Sequence, residues 1–506
     1  MTHASPPLRA ADRGAPAPLH PDDARTLPAD IAGLRDRLRT GGLSRADALG
    51  AQWAQARAAD AACQSVVRWH ESGACAGTAG LGGSDASASA PAAARADTPI
   101  NGPLTGVALA HKDIFAIAGQ QAGCGRGQAP DPVADRDADV LTRLAQAGAT
   151  NLAALSMAEL ACGSTGESPW SPRPVNAVSP DAVVGGSSGG SAPPAAAALC
   201  SASLAPDPAG SVRTPAATCG LIGLKPTWDA ISRQGVHPLA PSLDTVGVIA
   251  RTVADAAVVY ACAAQAAPPE LVHAAATPHG MADWLAMPAR LRIATHVPPA
   301  PPDDEVIGTL QAFIARVSGD HDVQAVELPQ LDALSRLAHV VLHAEAAAAH
   351  RALLQDPAAR LGASARAVLV PGAAMPEAWY HDAIAQRGAR LQAFVDTVFA
   401  KADVLLVPAL FRPVPDWDTV TPGAPSFDVH QLLALHRWMP FVNYLGLPAL
   451  VFPIGHDRRG RPITAQAVAR PHAEAVLLAF AHRYDRGAAS LSIPSPSARS
   501  SSATLR

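Results

Sequence analysis

The chain has 506 residues, a formal net charge of −4 and 16% charged residues, a balance that excludes a broadly basic nucleic-acid surface. Its 49% hydrophobic fraction can fill one large domain or two to three smaller ones. Seven scattered cysteines without a CxxC pair exclude a disulfide framework or zinc finger and fit reduced thiols, and no run of about 18 apolar residues offers a membrane span, so a soluble cytoplasmic protein is expected.

Residues 1–25, rich in Pro and Ala, are expected to form a disordered leader; they carry Asp12, Asp22 and Asp23 and no apolar h-region of a secretory signal. A single large domain is expected over 26–488. It opens with a helical part, 26–70, in which Ile31, Leu34 and Leu38 and then the stretch after Ser44 follow a helical period. The Gly/Ala/Ser-rich stretch 72–99 reads as a flexible insertion. In the core, 100–262, LTGVALA before Lys112 and ATNLAAL before Ser156 read as buried strands, whereas VLTRLAQAGA and TVADAAVVYACAAQAA read as helices. Strands alternating with helices predict an α/β sheet covered on both faces. Residues 268–400 read as helical. ADVLLVPAL and ALVFPIG then return as apolar strands in a segment spanning 402–485, expected to complete the same sheet, and the Ser-rich tail 489–506 is expected to be disordered.

Within the core, GGSSGGS at 185–191 has linker composition, yet an Ala-rich helical stretch follows almost at once. Glycine packed around serine suits a backbone that turns sharply and lets a substrate approach, and a hydroxyl there is a candidate nucleophile in need of a base. His111 and Lys112 are adjacent, and on a strand only one of them faces the site easily. Only three of the 39 basic residues are lysines (Lys112, Lys225 and Lys401), while alanine alone supplies 113 residues, as a base-composition bias of the gene would produce. Arginine cannot lose its proton at working pH and lysine can, so a lysine buried at a strand end is a competent base.

The chain resembles the amidase signature family of Ser–cis-Ser–Lys hydrolases, over about residues 100–260 and 402–482. GVALAHKDIF resembles the segment of the catalytic lysine, VVGGSSGGSAPPAAA the Gly/Ser signature, and DPAGSVRTPAATCGLIGLKPT the nucleophile segment. PSLDTVGVIARTVADAA, NYLGLPALVFPIG and ITAQAVARPHAEAVLLAFA follow in the family's order. The resemblance implies the amidase signature fold, a single large mixed β-sheet covered by helices on both faces. It implies Ser211 as nucleophile, Ser187 on a cis peptide after Gly186 as bridging serine, and Lys112 as base. Amide hydrolysis then passes through an acyl-enzyme, with neither cofactor nor metal; no HxxxH pair with a third ligand is seen in the sequence.

The oxyanion hole is expected from the backbone N–H groups of Ala209, Gly210 and Ser211. Pro208, which has no N–H, and Ala209 stand where the family has a donor and a glycine; at a position of positive φ, Ala209 adds strain. Ser188 and Ser191 are expected to shape the loop by hydrogen bonds, Ser164 to lie near the site, and Asp207 to hold Arg213. Asp113 could organise Lys112, cap a turn or form a salt bridge. Lys225 reads as framework, and Lys401 as a solvated helix end. The expected partner is a small-molecule amide, with no nucleic acid and no membrane, and a homodimer is the assembly left open. Two other functions stay in view: the amidase subunit of a tRNA-dependent amidotransferase, and a catalytically lapsed amidase-fold binding protein.

Overall fold

The computed structural model describes residues 27–70, 102–127, 130–286, 290–297, 303–328 and 330–485. The expected leader, the insertion 72–99 and the tail 489–506 lie outside these residues.

Two helices begin the described chain, and both start at side-chain caps. Asp30 accepts from the Gly33 amide ahead of α1 (Ile31–Arg39), and Ser44 accepts from the Asp47 amide ahead of α2 (Arg45–Cys63). The helical reading of 26–70 stops there, because Val66–Trp69 is a strand, β1. Its sequence, VVRW, is β-branched and aromatic, and such side chains fit a pleated surface better than a helix.

Eleven strands make one mixed sheet in the order β1-β3-β2-β4-β6-β5-β10-β11-β9-β7-β8. The first half comprises β2 (Ala108–Lys112), β3 (Thr150–Leu155), β4 (Ala202–Pro206), β5 (Ile222–Lys225) and β6 (Val246–Ala250). The second comprises β7 (Arg292–Thr295), β8 (Asp322–Ala325), β9 (Val404–Pro408), β10 (Ala449–His456) and β11 (Pro462–Val468). β10 pairs with both β5 and β11, so the C-terminal return does complete the sheet begun in the core. Every residue of β2, β4, β5, β6, β9 and β11 is buried. A strand buried at every position has both faces covered, which explains why these segments read as apolar runs without alternation.

The region 268–400 is mostly helical, with long helices at Leu331–Ala349 and Glu377–Phe394, but it also contributes β7 and β8. Those strands have four residues each. β8 is largely exposed at the sheet edge, so it carries no apolar run to betray it.

One topological feature places the site. β2 runs parallel to its neighbours β3 and β4, so the carboxyl ends of these three strands share one sheet edge. In open α/β sheets that edge is where loops can converge on a ligand. Lys112 is the last residue of β2. Ser211 lies in the turn between β4 and the helix Arg213–Thr218, and Ser187 lies in the glycine-rich loop before the helix Ala192–Ala196.

Candidate active site

Alternation along β2 separates the two candidate bases. His111 turns away to accept the Leu204 amide at its Nδ1 (3.2 Å), and burial, with a smaller contribution from His70, depresses its imidazole to about 3. Lys112 turns to the other face and donates from Nζ to Ser187 Oγ at 2.7 Å. Ser187 Oγ donates in turn to Ser211 Oγ at 2.9 Å, and the Ser187 amide also points at Ser211 Oγ, at 3.2 Å. All three side chains are buried. Burial pulls the Lys112 ammonium down to about 7, against the opposing fields of Asp244 and Asp207, so a neutral amine is accessible near neutral pH.

The Gly186–Ser187 peptide is cis. Glycine is required at 186 by close approach: a Cβ there would meet Gly163 O and Gly166 N at 2.5 Å. Ser164, half-buried, sits in the segment that closes over Gly186.

The turn carrying Ser211 is built around a buried ion pair. Arg213 grips Asp207 with two bonds of 3.0 Å, Nε to Oδ2 and Nη2 to Oδ1. Arg213 also reaches Met439 O, Gln466 Oε1 and Asn443 Oδ1, while Asn443 Nδ2 donates to Asp207 O. Burial alone would raise the Asp207 carboxyl, but the Arg213 guanidinium overrides it and holds the group far below the usual carboxylate range.

Asp207 also takes the Gly210 amide at 2.6 Å and the Val212 amide at 3.1 Å. The Gly210 N–H therefore points into the loop, and of the three amides expected to face an oxyanion only those of Ala209 and Ser211 lack an acceptor among the described residues. The positive φ falls on Gly210 (125°) and not on Ala209, so alanine at 209 carries no left-handed strain.

Other expected roles resolve individually. The hydroxyls of Ser188 and Ser191 are buried without a partner among the described residues, so their contribution to the loop is through backbone, the Ser191 amide donating to Ser188 O. Asp113 pairs with Arg68 at 2.8 Å and accepts the Gly123 amide. Lys225 is fully buried, donates to Pro226 O and is lowered to about 7 by burial and then by Arg213, while Lys401 is exposed beyond the Glu377–Phe394 helix.

Three side chains escaped the sequence reading. Asn443 and Gln466 brace Arg213 from the C-terminal segment; the available signal was a carboxamide side chain in each of two otherwise largely apolar runs, NYLGLPAL and ITAQAVA. His436 hydrogen-bonds the Gly186 backbone, and burial depresses its imidazole to about 4 despite that bond. It follows the short helix Val429–Ala434, where nothing local marks it. The expectation of no metal rested on local spacing. Across the fold, Cys124, Asp131 and His237 do come together.

A buried lysine–serine–serine chain beside amides free to accept an anion is equipped for nucleophilic attack on a carbonyl. Among the described residues, no helix is long and apolar enough to cross a membrane. Comparison with known proteins agrees with this chemistry. The Amidase family model matches residues 77–478. The glutamyl-tRNA(Gln) amidotransferase subunit of Halorhodospira halophila is 34% identical over 418 residues, covering 76% of this chain and 84% of the relative. The crystal structure of an amidase superposes with a TM-score of 0.72 at 26% identity, covering 90% of this chain and 99% of that one. Allophanate hydrolase of Kluyveromyces lactis gives a TM-score of 0.66 at 26% identity, over 78% of this chain and 64% of its own. The chain belongs to the amidase family and is an enzyme acting on carbon–nitrogen bonds.

Proposed function

We propose that the protein hydrolyses a carboxamide to a carboxylate and ammonia or an amine, through an acyl-enzyme on Ser211. The observation that carries this reading is the unbroken contact chain Lys112–Ser187–Ser211, at 2.7 and 2.9 Å, with Lys112 lowered to about 7. With Lys112 neutral, the polarity of both contacts reverses. Ser211 gives its proton to Ser187 Oγ as Ser187 passes its own to Lys112 Nζ, and Ser211 Oγ bonds to the amide carbonyl carbon. The resulting oxyanion meets the Ala209 and Ser211 amides. Collapse breaks the C–N bond while the relay returns the proton to the leaving nitrogen. Water gives a proton to the same relay as it attacks the ester; collapse breaks the bond to Ser211, whose Oγ takes that proton back from the relay, and the acid leaves as its carboxylate.

Asp207 and Arg213 act on this chemistry only through the loop they hold. No step calls on a metal or cofactor. Ammonia release from a panel of aliphatic and aryl amides tests the reading, together with a fluorophosphonate probe, which should label Ser211. Hydrolysis that persists in Ser211→Ala would overturn it. Absence of labelling in the wild type would favour a lapsed amidase-fold binding protein.

A second reading, the amidase subunit of a tRNA-dependent amidotransferase, is favoured by the similarity over three quarters of the chain to the glutamyl-tRNA(Gln) amidotransferase subunit. In that case ammonia passes to an acceptor inside a complex. Size-exclusion chromatography of the native protein separates the two: a chain that elutes alone and is active alone fits the hydrolase.

A further inference from the structure

Three loops far apart in sequence meet beside the lysine strand. Cys124 is tied to that strand's exit, its amide donating to Asp113 O at 2.9 Å. His237 is held by its own amide on Ile114 O at 3.0 Å, and Asp131 reaches in from the loop between them. One donor atom from each of Cys124, Asp131 and His237 lies within 4.8 Å of the other two. His237 Nδ1 and Asp131 Oδ2 are 2.6 Å apart. The other ring nitrogen, Nε2, is buried without a partner. His350, at the end of the helix Leu331–Ala349, stacks on His237 with ring centroids 5.2 Å apart, and its Nε2 is likewise buried and unpartnered.

Two buried imidazole nitrogens without partners leave hydrogen-bonding capacity unmet, which native interiors rarely do without a ligand or water. The arrangement does not suit nucleophilic sulfur, since burial and then the fields of Asp131 and Asp113 push the thiol well above its usual range, against the smaller pull of Lys112 and Arg126. The cations that act on it are engaged elsewhere, Lys112 with Ser187 Oγ at 2.7 Å and Arg126 with Glu159 at 2.9 Å.

We propose that Cys124, Asp131 and His237 form a binding site for a zinc-class divalent transition-metal ion, with a fourth position left for water. A thiolate, a carboxylate and a neutral imidazole around a dication sum to zero charge, the condition under which a buried ionic site is tolerable. Sulfur and nitrogen donors select zinc, cobalt or nickel over magnesium and calcium, which require oxygen. Metal–ligand lengths of about 2.0–2.3 Å place tetrahedral donors about 3.5 Å apart. The present separations reach that by side-chain rotation, with the His237–Asp131 contact opening to admit the ion. The ion enters from the Asp131 side, where that side chain is 43% exposed. Once bound, it ties the Cys124 loop to Asp131 and His237 beside the lysine strand.

The test is a titration of the full-length, tag-free, reduced protein with Co2+, followed by displacement with Zn2+. One equivalent of Co2+ should produce a thiolate-to-cobalt charge-transfer band that Zn2+ abolishes. The band should vanish in Cys124→Ser and persist in Cys262→Ser, a partly exposed free cysteine elsewhere. Asp131→Asn changes a partly exposed side chain and tests the site without touching the core. It should weaken Co2+ binding by about tenfold or more. No band in the wild type, a band unchanged in Cys124→Ser, or unaltered affinity in Asp131→Asn would each overturn the site.

Discussion

Lys112 Nζ and Ser187 Oγ meet at 2.7 Å in a contact closed to solvent from both sides, each residue being 1% exposed. The amine cannot shed its charge into water there, and burial lowers it to about 7. The charges that face it are Asp244, which burial raises to about 6, and Asp207, which Arg213 keeps ionised. Because the proposed relay needs Lys112 neutral, kcat/KM should rise with pH through about 7 and fall about tenfold per unit below it. Lys112→Ala should lose about 10²–10⁴ in rate and its acid limb together. Lys112→Arg should not recover either, since a guanidinium stays charged. A pH–rate profile of the three proteins checks this.

The two serines occupy different places in the chain of contacts, and their variants should separate. Ser211→Ala removes the atom that forms the ester, so both turnover and fluorophosphonate labelling should be lost. Ser187→Ala leaves the nucleophile but cuts its path to Lys112, which should lower the acylation rate by about 10²–10⁴ while slow labelling remains. Single-turnover kinetics with mass analysis of the labelled protein distinguish the two.

Asp207 and Arg213 are both fully buried, and Asp207 additionally takes two loop amides. Asp207→Asn keeps the shape but leaves the guanidinium uncompensated. Breaking such a pair from one side costs about 3–5 kcal/mol. Urea unfolding should show a loss of that order, with an activity loss on top because Gly210 and Val212 lose their anchor.

Composition drew attention to Ser187 and Lys112, through glycine around the one and an apolar strand ending at the other, whereas Ser211 and the roles assigned to all three came from the resemblance to the amidase signature family. The sheet was legible wherever its strands were buried on both faces. β7 and β8 were not, because four residues make no run and β8 lies largely exposed at the edge, and β1 was absorbed into the helix before it. The loop's inward amide at Gly210 could not be read either, since a backbone donor's direction depends on φ and ψ and not on residue type. Asn443, Gln466 and His436 lie more than 220 residues from Ser211 in sequence, and only the pairing of β10 with β5 and β11 brings the C-terminal segment to the nucleophile turn.

Lys225 offers a measure of what the framework tolerates. It ends β5 fully buried, with Pro226 O as its acceptor, and burial, reinforced by Arg213, lowers it from 10.5 to about 7 while Asp207 and Glu474 pull the other way. Between those two values the unfolded chain holds a proton on Lys225 that the folded protein has released. Unfolding then takes up a proton, so Lys225 makes the folded state more stable as pH rises through this window and less stable as pH falls toward 7. Below about 7 the ammonium is charged in both states and its full burial penalty remains. Lys225→Met removes this term alone, because Lys112, Asp244 and Asp255 titrate in both proteins. The stability of wild type minus that of Lys225→Met should therefore climb between pH 7 and about 10, and level off below 7. Chemical denaturation of both proteins at pH 6, 8 and 10 measures the difference directly, and a flat difference would mean that Lys225 is charged within the fold.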